Sequence, residues 1–503
     1  MIKSLGNRPK PILIGAHKSN IGHTEASSGL CAMSKAIISL ENELIPANIH
    51  FKKPNPKVEG IKKGLLKPIN SNTPFTGAYV GLNNFGFGGS NIHVIIKSPK
   101  IKPKRDNNKI VDKIPRLVNM CGRNEESIQY FFEQLSEKPE KITRDLLALV
   151  NDISKSAPYK QSASYIGMSS RGFALIQSPE QNLKEIKNFN VQEVKERDRE
   201  VWFVMSGMGT QWTAMAKDLM GIEMFEKSIK NLCEIMKKYS IDLWDLLMNS
   251  KQNINDSVMN SFLTIAGIQI ALIDLLEELH IRPNGIVGHS IGELTAAYAD
   301  KCLTAEETIT MAYWRAKCVE DSTSSRGAMA AIGLGAKDAK PLCPANVFIA
   351  CDNADDSVTV AGDQRAVEEF VKSLKAKDIF AAKVESSGVA FHSPLLYSIG
   401  EDMTSKLKSV MSNTRKMSSR WISSNFNNQS KNISAHYFVD NLLYPIRFNE
   451  SLKQVPKNAI VVEVSPHCLL QSIIKRSLGP NISYVPLMRK NDNNLNLLLE
   501  SIG

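Results

Sequence analysis

The stretch GIVGHSIGELTAAYA, residues 285–299, sets Ser290 between Gly288 and Gly292. An apolar run comes before it and a helix-forming run after it. A strand–turn–helix of the form G-x-S-x-G bends the chain so tightly that the residues around the serine must be small, and it lifts the hydroxyl clear of the sheet. This stretch predicts an α/β core with a nucleophile at the end of one strand. The N–H of Ile291 opens the following helix, where amide and helix dipole together can hold an oxyanion. The bland reading is an incidental glycine-rich turn, and the strand before and helix after weigh against it.

A serine nucleophile needs a base. Among nine histidines, His289 adjoins Ser290, and neighbours around a tight turn seldom face one another. His392, in SSGVAFHSPLL, sits on a loop before Pro394 and is the better candidate. A second glycine-rich loop, SGMGTQW, ends the apolar strand that starts at Val201. It can bring the Met208 N–H to the same oxyanion and the Gln211 amide beside it. Arg315, in MAYWRAKC, lies on a helix. It reads either as a surface arginine covering Tyr313 and Trp314 or as a fork for a substrate carboxylate, since paired N–H groups match paired carboxylate oxygens.

At 503 residues the chain has room for about two to four domains. The front reads as mixed α/β: a strand over 11–16, a helix over 26–43, and strands over 78–82 and 92–96 around the turn NNFGFGGSN. A basic stretch over 98–108 marks a boundary, and a small α/β module follows to about 199. After Gly327, strand signals in AMAAIGL, NVFIACDN, SVTVAG and IFAAKVE, with a helix over 364–375, predict a compact inserted subdomain.

The net charge of +11 falls largely in two lysine-rich stretches without interleaved aromatics. Such runs are usually solvated linkers, so a nucleic-acid groove gains little support. The 8 cysteines form no C-x-x-C pair, which argues against zinc and a disulfide framework. The N-terminus shows no secretory signal and no apolar run reaches the ~18 residues that span a bilayer. The expectation is a cytoplasmic protein with no metal, no nucleic acid and no membrane.

SGMGTQW, GHSIGE, AYWR, AFHS and SPHCLLQSIIKR occur in the order found in malonyl/acetyltransferase domains. Together they resemble that domain of the animal-type multifunctional fatty acid synthase. KSNIGHTEASSGL and NNFGFGGSNIHVII resemble the C-terminal part of a β-ketoacyl synthase. The resemblance implies three parts: a partial thiolase-like ketosynthase fragment over 1–98, a small α/β linker domain over 99–199, and an acyltransferase over 200–503. The last would have an α/β-hydrolase-like core with a ferredoxin-like subdomain inserted at 326–391.

The same resemblance implies a function. Ser290, with His392 as base and Ile291 and Met208 as oxyanion hole, would move malonyl, with acetyl as a second candidate, from CoA to the phosphopantetheine thiol of an acyl carrier protein. Gln211, Arg315, Phe391 and His289 would bind substrate, Arg315 favouring the diacid and Phe391 helping to size the acyl pocket. The chain itself would hold no cofactor, and other fatty acid synthase domains or chains are further candidate partners. Asp352 stands before Asn353 where vertebrate relatives are expected to have a histidine. In the ketosynthase part only Lys18 and His23 match the family's catalytic set, so no condensation by this chain alone is expected, nor a dimer. Three alternatives stay open: a polyketide synthase acyltransferase, a non-catalytic truncated scaffold that docks to a full synthase, and an α/β-hydrolase-type esterase. The esterase gives no account of Arg315 or of SGMGTQW.

Overall fold

The computed structural model describes residues 10–77, 79–98, 114–156, 167–180, 183–194, 199–249, 254, 257–322, 327–425 and 431–503. The chain divides into two compact units, Met1–Asn108 and Lys109–Gly503. The basic boundary over 98–108 and the start of the strand expected at Ala78 lie outside the described residues, apart from Ser98.

In the first unit, strand Ile12–Ile14 pairs in parallel with Leu66–Pro68. Helix Ser28–Glu41 forms where the apolar spacing predicts one, but Leu30 and Ile37 of that stripe are exposed. The glycine-rich turn joins strands Tyr79–Phe85 and Asn91–Lys97 in an antiparallel hairpin. Asn48 ties this unit together: its Oδ1 accepts from Ala16 N and its Nδ2 donates to Ile14 O. Ala36 and Ile69 are its buried apolar side chains among the described residues, whereas Leu30, Ile38, Phe85 and Ile95 are exposed. Lys18 starts the short helix Lys18–Ile21, and His23 accepts from Glu25 N through Nδ1; both side chains are exposed.

The second unit begins with a small α/β lobe. Strands Arg116–Gly122, Ser170–Glu180 and Leu183–Glu193 form an antiparallel sheet in chain order. Helix Glu125–Glu137, capped by the Asn124 side chain, and helix Arg144–Ser156 complete it. Val118, Ile128, Phe132, Leu147, Val150 and Ile176 form its core.

The remainder is built on a five-stranded parallel sheet in the order Trp421–Ile422, Gly285–Gly288, Val201–Met205, Ile460–Val464, Ser483–Pro486. The two strands expected to carry functional loops, at 201 and 285, are neighbours in its interior. Parallel strands covered on both faces read as unbroken apolar runs, and VWFVM and GIVG do so. Helix Val258–Glu278 packs against helices Glu223–Lys237, Gly292–Ala299 and Ala305–Asp321. By length and composition it could cross a bilayer, yet nearly all of it is buried inside the fold. An apolar run of spanning length is therefore present after all, and it serves as the core helix of this lobe.

A second sheet has the order Ala381–Val384, Ala328–Ile332, Ser357–Gly362, Val347–Ala354 and, at its edge, Ile446–Arg447. The first four strands, with helices Ala336–Ala339 and Gln364–Lys375, give the βαββαβ order and antiparallel pairing of a ferredoxin-like unit. The fifth strand comes from outside the segment expected to be inserted and pairs in parallel with Val347–Ala354. At the root of the insertion Gly327 N donates to Gly388 O at 2.8 Å. A Cβ at Gly327 would lie 2.4 Å from Gly362 O and 2.7 Å from Ala390 Cβ, so the two ends close against each other only with glycine there.

Candidate active site

Strand Gly285–Gly288 is buried throughout, hydrogen-bonded to Val201–Met205 on one side and Trp421–Ile422 on the other. At its end Ser290 takes φ +56°, and helix Gly292–Ala299 starts two residues later. Neighbouring backbone leaves no room for side chains at the flanking positions. A Cβ on Gly288 would meet Glu293 Cα at 2.7 Å, and one on Gly292 would meet the Met205 carbonyl oxygen at 2.2 Å. His289 N donates to Met205 O at 2.8 Å, which locks the turn to the adjacent strand. A non-glycine residue at positive φ costs on the order of 1–3 kcal/mol, borne where the surroundings over-determine it.

His392 also sits at positive φ, +58°, in the loop leaving the insertion. Its backbone N donates to Leu442 O at 3.2 Å, and its ring is buried. Ser290 Oγ and His392 Nε2 are 2.8 Å apart, a normal hydrogen bond joining residues 102 positions apart in the chain. The imidazole Nδ1 has no hydrogen-bond partner among the described residues. Burial pushes the His392 pKa down to about 3, and the neighbouring His289 and Arg315 add to the shift. The ring is therefore neutral at pH 7 and free to take a proton from Ser290.

The SGMGTQW loop lies directly beside the turn: a Cβ on Gly207 would come within 2.9 Å of His289 O and 3.1 Å of Ser290 Cβ. Its shape is fixed from within and below. Gln211 Oε1 accepts from Gly209 N at 2.8 Å, and its Nε2 donates to Ser261 Oγ at 3.3 Å. Ser206 Oγ donates to the buried Glu463 carboxyl at 2.5 Å, and Gln269 Nε2 donates to Ser206 O at 2.7 Å. The amides of Met208 and Ile291 donate to no other group among the described residues. The Gln211 side chain is turned into its own loop, where it shapes the backbone that carries Met208.

His289, one residue before the nucleophile, faces away from it. Its Nε2 lies 2.9 Å from Asn353 Oδ1, and its ring stands edge-on to Phe448 at 4.9 Å. Asn353 donates through Nδ2 to Thr359 Oγ1. Its oxygen must therefore accept, which places the His289 proton on Nε2. Asp352, noted in the sequence as a departure, has Asn449 Nδ2 at 3.5 Å, and burial raises its pKa.

Arg315, on helix Ala305–Asp321, is fully buried. The surface reading is excluded. Its Nη2 donates to Asn441 Oδ1 at 3.0 Å, while Nε and Nη1 have no partner among the described residues. Its carbon Cζ lies 5.9 Å from the Phe262 ring centre, and Phe262 in turn packs on Phe391 with ring centres 5.6 Å apart. Burial lowers the Arg315 pKa to about 9, against the pull of Glu293 and Tyr437. It stays charged at pH 7, so two buried N–H-bearing nitrogens of a cation stand without an acceptor, an arrangement that is costly unless a ligand completes it.

Three side chains of this site were not singled out in the sequence. Phe262 links the cation to Phe391. Asn441 holds the guanidinium. Glu293, fully buried behind the turn, accepts from Ser424 N at 2.6 Å, Trp421 Nε1 at 3.0 Å and Tyr437 OH at 3.0 Å, with Ser424 Oγ at 2.7 Å. A usable signal existed for the last two. GELTAAYA and YFVDNLL are helices buried almost all round, so a polar residue within either must have an internal partner.

The family model described as "Acyl transferase domain" matches residues 202–502. "Beta-ketoacyl synthase, C-terminal domain" matches 2–52, and "Ketoacyl-synthetase C-terminal extension" matches 54–175. A highly reducing polyketide synthase of Pyrenophora dematioidea is 29% identical over 530 residues, covering 98% of this chain and 20% of that protein. Squalestatin tetraketide synthase of Phoma sp. (strain C2932) is 29% identical, covering 93% of this chain and 21% of that protein. The chain thus spans about a fifth of the length of the curated relatives it matches. Among solved structures, the acyltransferase domain of the polyketide synthase PpsC of Mycobacterium tuberculosis aligns with TM-score 0.53 at 22% identity, over 58% of this chain and 92% of that one. The acyltransferase domain of SpnD, solved in complex with 2-(pent-4-yn-1-yl)malonyl, aligns with TM-score 0.63 at 20% identity, over 77% and 94%. These likenesses support the acyltransferase fold. The relatives are polyketide synthases, so the expected resemblance to a fatty acid synthase holds for the shared ketosynthase–acyltransferase architecture and does not extend to the animal type in particular.

Proposed function

We propose, since this chain belongs to the acyl transferase domain family, that it moves a dicarboxylic acyl group, malonyl in the first instance, from CoA to the phosphopantetheine thiol of an acyl carrier protein. The chain is an acyltransferase domain with the C-terminal part of a β-ketoacyl synthase before it, the arrangement of polyketide and fatty acid megasynthases. Between those two pathways the relatives favour polyketide assembly over fatty acid synthesis. The observation that carries the reading is the 2.8 Å contact of Ser290 Oγ with His392 Nε2 on a strained turn, in the same site as the buried cation Arg315.

The reaction runs in two halves. In the first, His392 Nε2 takes the Ser290 proton as Oγ adds to the thioester carbonyl. The oxyanion is received by the Ile291 and Met208 amides. The carbon–sulfur bond breaks, and the CoA sulfur leaves with the proton from Nε2, so that the acyl group remains as a seryl ester. In the second half the carrier's thiol gives its proton to Nε2 and its sulfur attacks the ester. Ser290 Oγ then leaves and recovers the proton. A Ser–His pair without a third carboxylate suffices where the loop carrying the base is held in place, and here the His392 backbone N donates to Leu442 O. Phe391 and Phe262 wall the acyl site, and Gln211 acts through the loop it holds. The chain needs no bound cofactor for these steps.

The test is incubation of the purified chain with radiolabelled malonyl-CoA, peptide mapping of the label, and a Ser290→Ala control. Label on the Ser290 peptide, absent in the control, supports the reading. Folded protein that takes up no label refutes it in favour of a non-catalytic scaffold.

A further inference from the structure

Arg315 heads the fully buried side chains by volume, and its hydrogen-bond partner is an uncharged one. Asn441, at the end of helix Ala435–Leu443, presents Oδ1 to the guanidinium at 3.0 Å. That amide has a fixed orientation. Asn441 Nδ2 donates to Asn425 Oδ1 at 2.7 Å, and Asn425 Nδ2 donates to Tyr437 O at 3.0 Å. Reversing Asn441 would turn its NH₂ group against the guanidinium and its oxygen against another oxygen. The nearest acid, Glu293, influences Arg315 but makes no ion pair with it among the described residues. Its two oxygens are enclosed by Ser424, Trp421 and Tyr437.

We propose that Asn441 is a positioning residue that determines acyl specificity: a neutral acceptor that fixes the Arg315 guanidinium while leaving its charge uncompensated for an incoming carboxylate. This inference rests on the reading of Arg315 as the diacid site and deepens it. A guanidinium carries five N–H donors. One is used on Asn441, and enough remain for a bidentate carboxylate. A carboxylate in the place of the Asn441 amide would pair with the cation inside the protein and compete directly with the substrate. An apolar residue would leave the guanidinium unanchored. The same segment holds the base, because Leu442 O accepts from His392 N. The backbone of this helix end thus holds the His392 main chain while the Asn441 side chain holds the cation.

The isosteric substitution Asn441→Asp changes the charge and little else. Single-turnover loading of Ser290 from labelled malonyl-CoA is compared with the acylation burst from 4-nitrophenyl acetate, which carries no second carboxylate and whose amplitude counts folded, competent sites. The expected result is a fall of about tenfold or more in malonyl loading relative to the ester burst, seen mainly as a raised KM. Asn441→Ala should lower the same ratio less, and this variant carries the test if the aspartate variant does not fold. In an Arg315→Gln background, adding Asn441→Asp should leave the ratio unchanged. Equal loss of both reactions, or an unchanged ratio in the single variants, overturns the positioning role. A wild-type chain that reacts with the ester but takes no malonyl overturns the diacid reading itself, and this inference with it.

Discussion

An alanine at position 292 would put its methyl carbon 2.2 Å from the Met205 carbonyl oxygen and 3.0 Å from Met205 Cβ. Real Cβ atoms do not approach other heavy atoms nearer than 3.0 Å, so the turn and the strand beside it must part by about 0.8 Å. The obstructing atom is main chain held in the parallel ladder between Met205 and Gly288, so it cannot swing aside. The movement falls on the segment bearing Ser290, two residues away. Added to a 2.8 Å contact, it carries Oγ beyond good hydrogen-bond distance of His392 Nε2. A misplacement near 1 Å at a reacting group costs about 100-fold in rate, and overpacking of this kind costs about 1–3 kcal/mol in stability. Gly267 supplies the contrast. A Cβ there meets methyl carbons of Leu232, Leu243 and Leu247 at 3.9 Å, in the middle of helix Val258–Glu278. Gly267→Ala should therefore be neutral or gain up to about 1 kcal/mol. Single-turnover acylation by malonyl-CoA, read beside thermal unfolding of both variants, checks this. A Gly292→Ala chain that acylates within about threefold of wild type would refute the claim that close packing at the turn sets the nucleophile.

Removing the Arg315 cation by Arg315→Ala should cost malonyl transfer about 2–5 kcal/mol relative to acetyl transfer. Equal losses with malonyl-CoA and acetyl-CoA would count against diacid recognition. Glu293→Ala should destabilise the fold by about 3 kcal/mol or more, because Ser424 N, Trp421 Nε1 and Tyr437 OH lose a buried acceptor together. Glu293→Gln, which keeps one oxygen, should cost less, and chemical denaturation of the two variants would show the order. The depressed pKa of His392 has a signed consequence. Between about pH 6.5, where an unfolded histidine titrates, and the folded value of about 3, the unfolded chain binds the extra proton. This group therefore stabilises the fold above that window, and the stability is lost as pH falls through it. Acylation per folded molecule should nevertheless stay level down to about pH 5.5, since the base remains neutral there. A rate limb centred near the ordinary histidine value would contradict the burial of the ring.

The elements that announced themselves in the sequence are those with strong local punctuation. Glycines at 288 and 292 marked the turn, and alternating or continuous apolar runs marked strands Val201–Met205, Ala328–Ile332 and Ser357–Gly362. The sheet's outer members were harder to read. Trp421–Ile422 and Ile446–Arg447 are two residues long, and only pairing with distant strands makes them strands at all. Ser290 and His392 were legible from their motifs, and the fold joins them at 2.8 Å, whereas Arg315 was read two ways and its burial decides against the surface reading. Asn441 and Asn353 were not legible, because an amide in a helix or strand gives no sign of its partner. Their meaning depends on Arg315 and His289, which are 126 and 64 positions away. His289, which the resemblance places among the substrate-binding residues, has its Nε2 on Asn353 of the insertion.

The inserted lobe is rooted where Gly327 meets Gly388, and His392 follows only four residues past that root. The lobe also sends Asn353 back to grip the residue before the nucleophile. The lobe therefore meets the Ser290–His392 pair from two directions, through the chain that leaves it and through Asn353 on His289.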